Sequence, residues 1–199
     1  MGCAQATRSS RTDYHFHEGG KPAVVTQLRS RCIQIEEPLH LAAKDGNCYR
    51  LAQAIKQGAQ IDGVDEDGLT ALDWASLEGH AEAVQLLLQH KADANLSSNG
   101  CTPLHRAAVM GSAEVANKLI SAAADINAQD AEGKTPLHLV AEKSASSGRD
   151  YAPILRSLFA ARADVYALDH KDYSVLRLAE DWASAPVRDF IIKHGIRSL

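Results

Sequence analysis

The sequence predicts an all-α solenoid in which short helix-turn-helix units with β-hairpin tips repeat along the chain. One observation is a repeated motif: Thr102-Pro103-Leu104-His105 returns as Thr135-Pro136-Leu137-His138. A second observation is spacing, because equivalent leucines are separated by 33, 32, 33 and 39 residues. These are Leu39, Leu72, Leu104, Leu137 and Leu176. A nearly fixed period of this length indicates units that bury their apolar faces by stacking on one another.

Each unit carries the signals of two helices. The threonine suits the N-cap of the first helix, and proline suits its first turn, where a backbone donor is not needed. A second segment follows with apolar residues at helical spacing, as in Val84, Leu87 and Leu88. We predict five repeats after an N-terminal tail, residues 1–35, which is partly disordered and includes a capping helix. The predicted repeats are about 36–68, 69–100, 101–133, 134–172 and 173–199.

The segments between units predict tight turns. Asp67-Gly68 and Asn99-Gly100 are dipeptides that favour hairpin tips, and Glu132-Gly133 stands at the equivalent place. The tip that contains Asn99 is one residue short, which accounts for the spacing of 32. The fourth repeat has an insertion, residues 144–150, whose serine and glycine content predicts a flexible loop that bulges away from the hairpins.

These motifs resemble the ankyrin-repeat family over about residues 36–196. The resemblance implies that His40, His105 and His138 form hydrogen bonds that lock the turns. It also implies that Asn95 and Asn127 brace the hairpins, although such asparagines are hydroxylation targets in hosts that have the enzyme.

The glycine that usually follows the second helix in this family is replaced at three places. Lys91, Ala123 and Arg162 stand there. If these positions adopt a left-handed backbone, each replacement costs on the order of 1 kcal/mol.

The resemblance further implies a partner-binding surface at the hairpin tips and on the exposed, concave side of the first helices. The residues of this chain at those positions are Glu66, Asp67, Leu69, Leu77, Glu78, Cys101, Val109, Met110, Lys134, Glu142, Lys143, Tyr173 and Trp182. An apolar strip within the set is expected at Leu69, Leu77, Cys101, Val109 and Met110, since exposed apolar strips with charged rims mark protein-binding sites. The N-terminal tail or a neighbouring repeat could instead cover this strip.

Two tryptophans need separate interpretations. Trp74 falls on a predicted core position. Trp182 is either an aromatic anchor for a partner or part of the C-terminal cap, and the sequence leaves both open.

Charge and cysteine content exclude several function classes. The net charge is −4, and residues 1–35 carry +3, so the predicted solenoid carries −7. An acidic solenoid disfavours nucleic acid as a partner, which would require a basic surface. The four cysteines are far apart without a CxxC pair, which argues against zinc or disulfides and fits a reducing compartment.

Catalysis, metal and cofactor binding are not expected. No nucleophile or phosphate-loop motif occurs, and the carboxylates of Asp65, Glu66 and Asp67 are interpreted as a solvated turn.

The N-terminus carries a separate signal. Gly2 resembles an N-myristoylation site and Cys3 a neighbouring palmitoylation site, and two lipid chains together would anchor a protein stably. The motif lacks the usual hydroxyl residue, because Ala6 stands at that position. Acylation and an accidental Met-Gly start therefore both remain open.

The sequence thus predicts a non-enzymatic, monomeric, cytoplasmic module that binds a partner protein. The alternative is a membrane-tethered regulatory or targeting subunit for an enzyme on another chain, if Gly2 and Cys3 are acylated. The identity of the partner does not follow from the sequence, because one repeat fold serves many functions.

Overall fold

The computed structural model describes residues 38–183 and 185–195, with the side chains of Pro38 and Trp182 left out of the description. This part of the chain contains ten α-helices and, instead of extended strands, isolated antiparallel bridges at the hairpins. The helices are α1 (Pro38–Lys44), α2 (Cys48–Lys56), α3 (Ala71–Glu78), α4 (Ala81–Gln89), α5 (Pro103–Met110), α6 (Ala113–Ser121), α7 (Pro136–Ser146), α8 (Ala152–Ala160), α9 (Val175–Trp182) and α10 (Ala185–Gly195). The predicted tail, the acylation sites Gly2 and Cys3, and the last four residues lie outside the described part.

The helices form two layers. The first helices of successive pairs pack side by side in the order α1, α3, α5, α7 and α9. The second helices α2, α4, α6 and α8 form the other layer, and α10 packs on α8 and α9. The core lies between the layers, where the repeated leucines Leu39, Leu72, Leu104 and Leu137 are at most 1% exposed. The leucine period therefore reflects one core that continues from unit to unit.

The first helices start as the motifs predicted. Thr70, Thr102 and Thr135 have extended backbone and form reciprocal capping boxes with the residue three positions later. Pro103 and Pro136 occupy the first turn of their helices. The threonine-proline signal thus acts locally, before any packing between units.

The hairpin tips are of two kinds. At the short tip, Ser98 and Cys101 exchange two backbone hydrogen bonds of 2.9 and 3.0 Å around Asn99-Gly100. Both central residues have positive φ, 52° and 77°, which is the geometry of a type I′ turn. At the other kind of tip the bridge joins Val64 and Thr70, and inside it the Asp65 N–H donates to the Leu69 carbonyl across three residues, 66–68. The missing residue in the sequence therefore changes the turn type without removing the hairpin.

The ends of three second helices are strained as predicted. Lys91, Ala123 and Arg162 have φ of 70°, 62° and 65°, which places non-glycine residues in the left-handed region. Each is a position where glycine would be free of the Cβ penalty.

One finding concerns membranes. Within residues 38–183 and 185–195, the helices are too short and too polar for any of them to cross a bilayer.

Candidate functional site

The candidate site is the surface of the first helices that faces away from the second helices, together with the adjoining hairpin tips; we call it the first-helix face. Leu77 and Val109 occupy equivalent positions of α3 and α5 and are both partly exposed, as are Met110 and Cys101. The structure therefore brings four of the five predicted strip residues to neighbouring positions.

The fifth residue differs from the expectation. Leu69 is only 8% exposed, so it adds almost no surface to the strip. Its backbone is also fully engaged, since its N–H donates to Asp65 Oδ1 at 2.9 Å and its carbonyl accepts from the Asp65 N–H at 3.0 Å. These hydrogen bonds close the hairpin and place Leu69 inward. The prediction from the family's exposed positions could not include this effect.

Trp74 was predicted on a core position, and in the structure it lies at the edge of the core and contributes to the first-helix face. The indole is partly buried and packs against the core at its edge. Its N–H donates to the Asp65 carboxylate, and the Lys44 ammonium lies 4.0 Å from the ring centroid. The equivalent positions of the next two units give a mixed signal, because Arg106 is partly exposed and Leu139 is buried.

The Asp65 carboxylate is a structural group. Its burial acts against the charged form, but N–H donors from Leu69, Trp74 and Asp67 outweigh it and hold the pKa below its ordinary value. The neighbouring Glu66 and Asp67 are exposed at the tip, where the sequence placed a solvated turn.

A buried ion pair joins repeats two and three beneath the face. Asp73 is fully buried and stands where three other units have histidine. One carboxylate oxygen, Oδ2, accepts from the Thr70 N–H and hydroxyl, as the histidine Nδ1 does elsewhere. The other, Oδ1, accepts from Arg106 Nε at 2.9 Å, and Arg106 also donates to the Ser98 carbonyl at 3.0 Å. Arg106 therefore supplies the donor that aspartate lacks.

The predicted hydrogen bonds of the three histidines are found, and for His40 the bond is from Nε2 to the Gly63 carbonyl at 2.8 Å. Thr102 and Thr135 donate to the Nδ1 atoms of His105 and His138, which leaves Nε2 as the donor of each ring. Nε2 of His105 donates to the Lys134 carbonyl at 3.0 Å, and Nε2 of His138 to the Tyr173 carbonyl at 3.2 Å. Burial lowers the pKa of both imidazoles, so each is held neutral.

The far side of the face is held by two further contacts. Lys134 Nζ lies 2.7 Å from Glu142 Oε2, and this carboxylate raises the pKa of the lysine. The Arg177 guanidinium stacks 4.4 Å from the Tyr173 ring centroid. Trp182 belongs to α9, but its side chain lies outside the description, so the choice between anchor and cap stays open.

The insertion of the fourth repeat packs against the end of α5 instead of bulging freely. The Tyr151 hydroxyl donates to the Val109 carbonyl at 2.9 Å, and Arg149 Nη1 donates to the Met110 carbonyl at 2.8 Å. The Tyr151 ring is 1% exposed and fits against Gly111, where an added Cβ would lie 3.2 Å from it. These donors satisfy carbonyls that a helix leaves unpaired at its C-terminus. The insertion therefore borders the strip at Met110.

Asparagines brace neighbouring hairpins in the predicted manner. Asn95 Oδ1 accepts from the Asp125 N–H at 2.7 Å, and Asn127 Oδ1 accepts from the Asp164 N–H at 2.8 Å. Asp62 makes the equivalent bond to Asp93. Among the residues that the structure describes, no group of three or more histidine, cysteine or carboxylate side chains is arranged to hold a metal ion.

Comparison with known families agrees with this architecture. Residues 39–130 match the family model described as ankyrin repeats, in three copies. Residues 39–130 are ankyrin repeats. The match covers the caps of Thr70 and Thr102, the buried leucines Leu39, Leu72 and Leu104, and the short hairpin. The structure adds two further helix pairs after it, α7 with α8 and α9 with α10, and a total of five repeats stays a prediction.

Curated relatives match only a segment of the chain. The chain is 39% identical over 61 residues to the inactive serine/threonine-protein kinase TEX14 of Mus musculus, and 44% identical over 54 residues to osteoclast-stimulating factor 1 of Monopterus albus. It is 40% identical over 65 residues to osteoclast-stimulating factor 1 of Gallus gallus. These segments are 27 to 33% of this chain. They span 4% of the first relative and 25 to 31% of the other two.

Proposed function

We propose that this protein is a non-enzymatic interaction module that holds a partner protein on the first-helix face. Ankyrin repeats are a protein-protein interaction architecture, and repeat proteins of this kind offer extended binding surfaces. The observation that carries the proposal is the row of partly exposed apolar side chains Leu77, Val109 and Met110 on consecutive first helices.

Rigidity supports the same proposal. The tips are fixed by hydrogen bonds from one repeat to the next, including those of His105 and His138. A surface held in this way loses little conformational entropy when a partner binds. Trp74 at its edge is the residue type most often found at energetic hot spots of interfaces.

Four buried or half-buried polar groups of the face have structural partners that leave little for chemistry. The carboxylates of Asp65 and Asp73 are saturated by donors, and the imidazoles of His105 and His138 are bonded at both nitrogens. A general acid or base needs a free position toward a substrate, so these groups fit a binding role better than a catalytic one.

The experiment is affinity capture from the source cell with the full-length protein and two variants. Leu77→Arg places a charge in the strip, and Gln85→Arg places the same charge on exposed α4 in the other helix layer. We expect wild type and Gln85→Arg to retain the same partner and Leu77→Arg to lose it, with matching circular dichroism spectra for all three. A partner retained equally by Leu77→Arg would refute the proposed surface.

A further inference from the structure

The charged side chains around the apolar strip differ in whether they already contact another group of the chain. Three cations of the first-helix face are engaged within the chain: Lys44 lies over Trp74, Arg106 bonds Asp73, and Lys134 bonds Glu142. Lys143, at the position of α7 equivalent to Met110, and Arg149, which contacts Met110, form no ion pair within the described residues.

Several carboxylates of the same region are exposed and have no partner of opposite charge in the described residues. Glu66 and Asp67 at one tip, Glu132 at another and Glu78 at the end of α3 are all exposed. Within the part of the chain that the structure describes, none of these four side chains forms an ion pair. The strip is therefore bordered by free negative charge at the tips and at the end of α3.

Such an arrangement selects a partner by charge. Free carboxylates around an apolar surface attract cations and repel anions, and this complementarity governs encounter and specificity more than bulk affinity. Arg106 and Lys134, the cations nearest the tips, are committed to short contacts of 2.9 and 2.7 Å. The unpaired Lys143 and Arg149 lie at the Met110 end of the strip, away from the tip carboxylates. A binding partner must then bring the positive charge for these tip carboxylates itself.

We propose that the first-helix face binds a basic segment of its partner protein, one whose large apolar side chains fill the strip and whose lysine or arginine side chains reach the free carboxylates. This inference rests on the proposed function and adds the chemistry of the partner to it. Leu77, Val109 and Met110 contact the apolar side chains, and Glu66, Asp67, Glu78 and Glu132 pair with the cations.

The test is a display selection of random peptides against the full-length protein. Selected peptides are then titrated by fluorescence anisotropy against wild type, Leu77→Arg and the double variant Glu66→Lys/Asp67→Lys. The matched control is Glu82→Lys/Glu114→Lys, which reverses two exposed charges in the second-helix layer.

We expect the selected peptides to carry net positive charge together with large apolar residues. Their affinity should fall about tenfold or more in Glu66→Lys/Asp67→Lys, since two rim pairs are reversed, and should stay unchanged in the control. Binding should also weaken as salt rises, because exposed pairs are screened.

The outcomes separate this inference from the proposed function. Acidic or neutral peptides that are lost in Leu77→Arg would overturn the charge requirement and leave the surface in place. Peptides that bind Leu77→Arg as well as wild type would overturn both. Enrichment of no peptide would overturn the inference, since it requires the face to be open to a separate basic segment in the full-length protein.

Discussion

Arg106→Leu should destabilise the protein strongly, because Arg106 is the partner of a buried carboxylate. The Asp73 side chain is 0% exposed and that of Arg106 is 15% exposed, with 2.9 Å between Nε and Oδ1. Removing the arginine leaves Oδ1 without its donor, while Oδ2 keeps its two bonds from Thr70. Breaking a buried pair costs about 3–5 kcal/mol, and the retained bonds place this case near about 3 kcal/mol.

Asp73→His in the same chain should restore most of that loss. The double variant reproduces the arrangement one unit further along, where His105 stands at the position of Asp73 and Leu139, 8% exposed, stands at the position of Arg106. The new imidazole would donate to the Cys101 carbonyl, as His105 donates to Lys134. We expect the double variant to lie within about 1 kcal/mol of wild type, a coupling of about 2 kcal/mol or more.

The assay is urea unfolding followed by circular dichroism for wild type, both single variants and the double variant. The matched control is Arg177→Leu, an exposed arginine that stacks on Tyr173 and should cost under about 1 kcal/mol. The reasoning is refuted if Arg106→Leu costs no more than this control, or if the two single losses simply add in the double variant.

Three further predictions follow from the fold. Ala123→Gly should raise the free energy of unfolding by about 0.5–1 kcal/mol in urea titrations, because φ is 62° there, whereas Ala122→Gly, at φ −91°, should lower it; equal effects at the two sites would contradict the strain. The free energy of unfolding should decline as pH falls below about 6.5, because His105 and His138 have lowered pKa values in the fold and the unfolded chain therefore binds protons first. Thermal unfolding across this pH range tests the prediction, and a melting temperature that does not change with pH would count against it. Tyr151→Phe should cost about 1 kcal/mol in thermal unfolding by removing the bond to the Val109 carbonyl, and should speed amide exchange in residues 147–150; unchanged exchange would show that the bond does not hold the insertion.

The predictable parts of the fold depend on short-range interactions that the same residue types form at the same place in each repeat. The threonine caps, the histidine locks and the left-handed backbone at Lys91, Ala123 and Arg162 follow from residue types at fixed places in each unit. The type I′ turn at Asn99-Gly100 follows from a two-residue loop that needs positive φ twice.

The parts that were missed depend on contacts between units. Asp73 departs from the Thr-Pro-Leu-His motif in the sequence, but its pairing with Arg106 joins residues 33 positions apart. The surface position of Trp74 depends on Asp65 and Lys44, which flank it from neighbouring segments. The composition of the insertion predicts a flexible loop, but it does not reveal that Tyr151, directly after it, bonds a carbonyl 42 residues earlier.

The central claim is that a partner protein occupies the first-helix face. The most direct measurement places a photoreactive amino acid at Leu77 in one sample and at Gln85 in another, expressed in the source cell and irradiated. We predict a discrete covalent adduct with a partner protein from position 77 and none from position 85. Adducts from position 85 alone, or the same adduct at equal yield from both, would contradict the account.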